Sequence, residues 1–216
     1  AASFEEYTLT LTDGEQSVTL QHLLIGEVWL CAGQSNMVMP LNGFDYCPIS
    51  DSNNVIADAL NHPGIRMVTI KPTVKLSPQE YAEGSWQQPT TENAPKFSAA
   101  AYHYALTLQR TLQIPIGVIT CAWGGSRVEG WLPKEILQTY KDEDLTLIGS
   151  DKTPVYLQSM LMYNGILYPC HKYTIKGFIW YQGESNVRSS RTYAERLATM
   201  VKHWRSIWKQ GDLPFY

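Results

Sequence analysis

No stretch of the sequence approaches the ~20 consecutive apolar residues of a membrane-spanning helix. The opening residues Ala1-Ala2-Ser3-Phe4-Glu5-Glu6 have neither the basic nor the apolar part of a signal peptide. Cysteine is scarce. Cys31, Cys47, Cys121 and Cys170 show no Cys-x-x-Cys spacing, which argues against a disulfide scaffold, a zinc site or thioredoxin-like chemistry. Cys31 and Cys121 lie inside apolar runs and read as small core residues. Charged residues make up only 17%, the net charge is −3, and no block of Lys and Arg is long enough to follow a phosphate backbone, so nucleic acid is not an expected partner. There is no Gly-x-Gly-x-x-Gly, Gly-Lys-Ser or Gly-Lys-Thr to cradle phosphate. There is no Gly-x-Ser-x-Gly elbow either, which disfavours a lipase-type hydrolase. The absence of any Asn-x-Ser or Asn-x-Thr weighs against a glycosylated animal enzyme.

What is present suits one α/β-sized domain, or one domain plus a fragment of a neighbour: 216 residues, 44% of them hydrophobic. Aromatics reach 12%, with 7 Trp and 13 Tyr. That surplus serves packing, and it is equally what a sugar-binding cleft uses, because flat rings stack while their polar edges hydrogen-bond.

Tyr7 to Thr12 alternates apolar residues with Thr, Asp13-Gly14 turns the chain, and Val18-Thr19-Leu20 returns, a β-hairpin pattern. A lone hairpin is marginal in water, so its sheet is expected to be completed elsewhere. Buried strands are expected at Glu27–Ala32, Ile65–Ile70, Ile116–Trp123 and Thr174–Tyr181. Phe97, Ala100, Ala101, Tyr104, Ala105, Leu108 and Leu112 recur at helical spacing, with His103, Gln109 and Arg110 opposite. A second helix spans about Thr192 to Lys209, with Tyr193, Leu197, Met200, Val201, Trp204 and Trp208 on its apolar face. A weaker third runs from about Pro154 to Tyr168. Strands alternating with helices predict βαβ units, a mostly parallel sheet covered on both faces, and ligands at the carboxyl ends of the strands. Leu213-Pro214-Phe215-Tyr216 looks like the opening of one more strand, which predicts a truncated or cleaved chain.

Three strand ends carry polar motifs. The first is Gly33-Gln34-Ser35-Asn36-Met37, where a Ser just after a strand exposes its hydroxyl at the sheet edge and aims its own N–H at a developing oxyanion; a helix cap or turn serine explains it equally well. The second is Trp123-Gly124-Gly125-Ser126-Arg127, whose paired glycines suit a tight turn or an oxyanion hole. The third is Trp180-Tyr181-Gln182-Gly183-Glu184-Ser185-Asn186, with more polar side chains than capping requires.

Together, Glu27 to Met37, Trp123 to Ser126 and Trp180 to Asn186 resemble the nucleophile, glycine and third blocks of the SGNH-type carbohydrate acetylesterases, and within them the sialate O-acetylesterase-like proteins. The resemblance implies a flavodoxin-like α/β fold, with residues 1–25 as the tail of an N-terminal β-domain and 26–216 as the N-terminal part of the catalytic domain. It implies a Ser-His-Asp esterase that removes O-acetyl groups from sugars without metal or cofactor, typically exported, periplasmic or lysosomal. Ser35 is then the nucleophile, and the oxyanion hole combines its N–H with one from Gly124 or Gly125 and with the Gln182 side chain. Glu184 and Asn186 are expected to shape loops, and Arg127 or Arg188 to offer a cation for an acidic sugar. The family's Asp-x-x-His block is missing. His22, His62, His103, His171 and His203 all read as solvated or structural, so His and Asp are expected beyond Leu213 or on a separate C-terminal chain. An acetylxylan-type esterase shares this machinery, and a carbohydrate-binding module without catalysis is the competing reading.

Overall fold

The computed structural model describes residues 1–216. The hairpin pairs β1 (Ser3–Thr12) with β2 (Ser17–Ile25). The Asp13 carboxylate accepts the N–H groups of Glu15 and Gln16 at 3.0 and 2.8 Å, which closes the turn. Leu9 lies opposite Leu20 and Leu11 opposite Val18, so one apolar hairpin face forms, and it stays exposed. Glu6 pairs with Arg66 at 3.2 Å, and Phe4 lies against Gly64.

Four parallel strands follow: β3 (Glu27–Gly33), β4 (Ile65–Thr69), β5 (Ile116–Ala122) and β6 (Gly177–Tyr181), in the order β4-β5-β3-β6. All seven residues of β5 are buried, the pattern of a strand covered on both faces. Alternation along β3 divides the core: Leu30 and Ala32 face one apolar cluster with Phe178, Trp131 and Trp204, while Trp29 and Cys31 face another with Ile65, Val118 and Tyr102. Cys31 and Cys121 are core residues, as their apolar surroundings imply. β6 begins three residues later than Thr174, because the Gln210 side chain takes both backbone groups of Ile175, each at 3.1 Å, away from the ladder. Pro214 to Tyr216 run parallel beside β6, hydrogen-bonded to Phe178 and Trp180.

The helices are α1 (Ser35–Val38), α2 (Ser52–Asp58), α3 (Ala99–Leu112), α4 (Lys134–Leu137) and α5 (Ser190–Trp208). Ser98 caps α3 by accepting the Ala101 N–H at 3.2 Å. The buried stripe of α3 is rotated from the expected one: Tyr102, Leu106 and Gln109 point inward and Leu112 is exposed. Gln109 meets His62 at 3.2 Å, which satisfies part of its amide there. The helix expected from Pro154 to Tyr168 does not form as one piece. Gln158 bonds Gly149, Ser150 and Thr153, and Met160 takes a positive φ of 58° while its N–H reaches Glu129 O; regular helix is broken there and resumes as a π turn at Tyr163–Leu167.

On α5, the half-buried His203 meets the Tyr163 hydroxyl at 2.9 Å, and burial lowers its pKa below the usual 6.5. The unfolded chain binds the proton more readily, so this contribution to stability is complete above about pH 6.5 and is lost as the pH falls toward the lowered native value. Denaturation midpoints between pH 7 and 5 should therefore fall less steeply for His203→Gln than for the wild type; equal slopes would rule this out.

Candidate active site

β3 lies between β5 and β6, with Gly33 opposite both Ala122 and Tyr181, so three strand ends finish level. The chain leaving β3 turns toward β4, whereas the chain leaving β6 passes through α5 to the outer edge. The connections diverge between β3 and β6, the crevice where an open α/β sheet binds its ligand.

Gly33 makes the turn possible. Its φ is +147°, and a Cβ there would stand 2.2 Å from the Tyr181 carbonyl oxygen. Beyond it, Gln34 N donates to Tyr181 O and Trp123 N to Gly33 O, both at 3.0 Å, so the first loop is tied to each neighbour before Ser35 opens α1. Neither the Ser35 hydroxyl nor its N–H has a partner within the protein. The N–H groups of Gly124 and Gly125 also lack one, while Ser126 N closes their turn onto Trp123 O at 3.2 Å. Gly125 has φ +74° and packs under Tyr156, where a Cβ would lie 2.9 Å from the ring; Gly124 faces open space.

Side-chain amides lock the loops together. Gln34 Oε1 accepts from Gly183 N and Ser185 N at 3.1 and 3.4 Å, and Asn36 Nδ2 donates to Glu184 Oε1 at 2.5 Å. Gln182 Nε2 donates to Ser126 O at 3.0 Å and Asn186 Oδ1 at 2.8 Å. Asn186 Oδ1 also accepts Val128 N, while its Nδ2 serves the Glu129 carboxylate and Ser189. This corrects the oxyanion role expected of Gln182: both of its amide hydrogens are committed to joining the second and third loops, so in this arrangement it has no N–H free for substrate. Glu184 and Asn186 hold loops, as expected of them. Arg127 does so as well, and its expected contact with substrate is corrected: Nε donates to Leu157 O at 3.0 Å and Nη2 to Glu143 at 2.7 Å.

Behind Asn186 lies a buried ionic network with no counterpart in the sequence reading. The Glu129 carboxylate is fully buried against Arg196, which also forks onto Asp142 with two contacts of 2.7 Å. Glu143 joins Arg127 to this group, and Tyr140 covers the guanidinium at 4.7 Å. Burial opposes the Arg196 charge, but the hydrogen bond and charge of Glu129, helped by Asp142 and Glu143, outweigh it and raise the pKa above the ordinary arginine value. A signal existed: Arg196 sits four and eight residues before Met200 and Trp204, in line with the apolar stripe of α5.

None of the histidines reaches Ser35. His22 meets Glu6, His171 meets Tyr168 O, His203 meets Tyr163, and His103 is exposed on α3. His62 does pair with a carboxylate, Asp58, at 2.8 Å. It stands before the first residue of β4, however, and at about 3.3 Å per residue the length of the sheet separates it from the carboxyl edge.

A parallel sheet that gathers a free serine and two free glycine N–H groups at its switch point, without a Gly-x-Ser-x-Gly elbow, defines a hydrolase-like domain of the SGNH type. Residues 25–216 match the family described as carbohydrate esterase, sialic acid-specific acetylesterase, and the chain belongs to it. The human sialate O-acetylesterase is 27% identical over 205 residues, covering 91% of this chain and 38% of that protein, and the Pongo abelii protein matches to the same extent. A solved carbohydrate acetylesterase from Xanthomonas citri superposes with a TM-score of 0.84 at 30% identity, over all of this chain and 46% of its own. The chain thus spans less than half the length of these relatives. An Arabidopsis thaliana protein, 16% identical with a TM-score of 0.50 over 87% of this chain and 71% of its own, shares the fold.

Proposed function

We propose that this domain carries the nucleophile and oxyanion hole of a serine esterase that removes O-acetyl groups from carbohydrate, with O-acetylated sialic acid as the first candidate substrate. The observation that carries the reading is the set of unpartnered groups at one sheet edge: the Ser35 hydroxyl and the N–H groups of Ser35, Gly124 and Gly125. Ser35 Oγ attacks the acetyl carbonyl carbon as a base removes its proton. The carbonyl oxygen becomes an oxyanion held by Ser35 N–H with Gly124 or Gly125 N–H. The sugar oxygen leaves with a proton, and water then hydrolyses the acetyl-serine to acetate. Donors fixed in advance stabilise the oxyanion without reorganising, at about 2.7 to 4 kcal/mol for each one lost. No histidine stands at the site, so the base and its orienting carboxylate are assigned to residues outside the 216, on the same natural chain or a separate one. Residues 1–25 are assigned to the end of a β-domain, and the setting to the exported or lysosomal one that the family resemblance implies.

Acetate release from O-acetylated N-acetylneuraminic acid and from acetylated xylan by the natural full-length protein tests this. Release from the first alone supports the sialate reading, and release from xylan alone redirects it. Failure with both, and with an activated acetyl ester, leaves a carbohydrate-binding domain.

A further inference from the structure

Beside the glycine turn lies a cavity of about 260 Å³ that no role above uses. Its wall includes Val38, Lys96, Ser98, Thr120, Trp123 and Gly124. Val38 ends α1, so the cavity opens one helical turn, about 4.5 Å along the axis, from Ser35. It is smaller than the roughly 300 Å³ at which pockets for whole ligands begin, and so suits one substituent of a larger substrate.

Two observations define its chemistry. Thr120 is only 3% exposed, and its hydroxyl has no hydrogen-bond partner, although it points to the α3 side of β5 among apolar residues. An unsatisfied buried hydroxyl costs about 1–3 kcal/mol, so a group that binds there regains that loss. Lys96 is the cation of the wall, it forms no ion pair, and no carboxylate lines the cavity. The Ser98 hydroxyl is already occupied by Ala101 N and Met37 Sδ. The remaining free groups, the Lys96 ammonium, the Thr120 hydroxyl and Gly124 N–H, are all donors, and Trp123 adds a flat wall for a sugar ring. With Arg127 committed to Glu143, this is where a cation stands next to the glycine turn unpaired.

We infer that Lys96 and Thr120 bind the carboxylate of an acidic sugar and set a preference for acetylated sugar acids over their neutral counterparts. The inference rests on the esterase reading for its place in the reaction, but its ligand chemistry is tested without turnover. Calorimetric titration with N-acetylneuraminate and with its neutral methyl ester should show the acid binding about tenfold tighter, the size of one hydrogen bond between charged groups. The ratio should collapse toward one in Lys96→Met and survive in Lys96→Arg. Thr120→Val should weaken binding of the acid while raising Tm, because the orphaned hydroxyl is removed at nearly constant shape. Equal affinity for acid and ester in the wild type, or an unchanged ratio in Lys96→Met, overturns the inference. So does a Thr120→Val variant that melts lower with the ratio intact, which would make the hydroxyl the anchor of a structural water. Loss of the esterase reading looks different: the acid preference persists while acetate release from every ester is absent.

Discussion

Ser35→Ala in the natural full-length protein is expected to lower kcat/KM for acetyl ester hydrolysis by several orders of magnitude, up to about a million-fold, with the fold intact. The two halves of this expectation have separate grounds. Ser35 is the only serine at a strand end whose hydroxyl and N–H are both free beside the free N–H groups of the glycine turn, so nothing else at this edge can form the acyl intermediate. The same freedom means that the deletion breaks no hydrogen bond. Alanine also suits the start of α1, and substitutions of this kind usually change stability by less than about 0.5 kcal/mol. Thermal melting by circular dichroism alongside the kinetics separates the two. A variant that melts like the wild type and keeps turning over acetyl ester would remove Ser35 from the mechanism.

The second large effect belongs to the ionic network. In Arg196→Met, Glu129 (0% exposed) and Glu143 (5%) would lose their shared buried partner. Breaking a buried pair from one side costs about 3–5 kcal/mol, because a desolvated charge is left behind. At roughly 2–4 °C per kcal/mol for a domain of this size, Tm should fall by about 10 °C. Glu129→Gln is expected to be milder, since Arg196 keeps Asp142 and Glu143 and a glutamine can still face Asn186. The double variant should be more stable than the sum of the single effects predicts, a coupling that denaturant titration of the four proteins measures directly. Purely additive effects would mean that Asp142, 60% exposed, and solvent already neutralise Arg196. The consequence reaches the site: Glu129 orients Asn186, Asn186 accepts from both Gln182 and Val128 N, and these contacts hold the second and third loops together. Loosening at Arg196 should therefore appear in turnover before global unfolding does.

The strands, the hairpin turn and both long helices were legible along the chain because their causes are local. A seven-residue apolar run between turn residues can scarcely be anything but a buried strand in β5, and Asp13-Gly14 supplies its own turn. Placement of the three polar motifs at strand ends was legible for the same reason, and with it the expectation that they share one sheet edge. The Pro154–Tyr168 helix failed because side chains from elsewhere compete for its backbone, and periodicity carries no trace of them. The α3 stripe was misjudged by about one position because Gln109, polar by type, finds His62 waiting inside.

By itself, then, the sequence determined which segments become strands and helices, that the sheet is parallel, and where a serine, two glycines and a polar loop leave it. Only the tertiary structure decided what those groups are free to do. Gln182 lies 56 residues from Ser126, and Glu129 lies 67 from Arg196. Whether an amide N–H faces substrate or is spent on a neighbouring loop, and whether a carboxylate is solvated or sealed against a guanidinium, depends on which distant groups the fold brings within 3 Å. Hydrogen bonding and desolvation act over that distance and not along the chain, so residue type alone left those roles open.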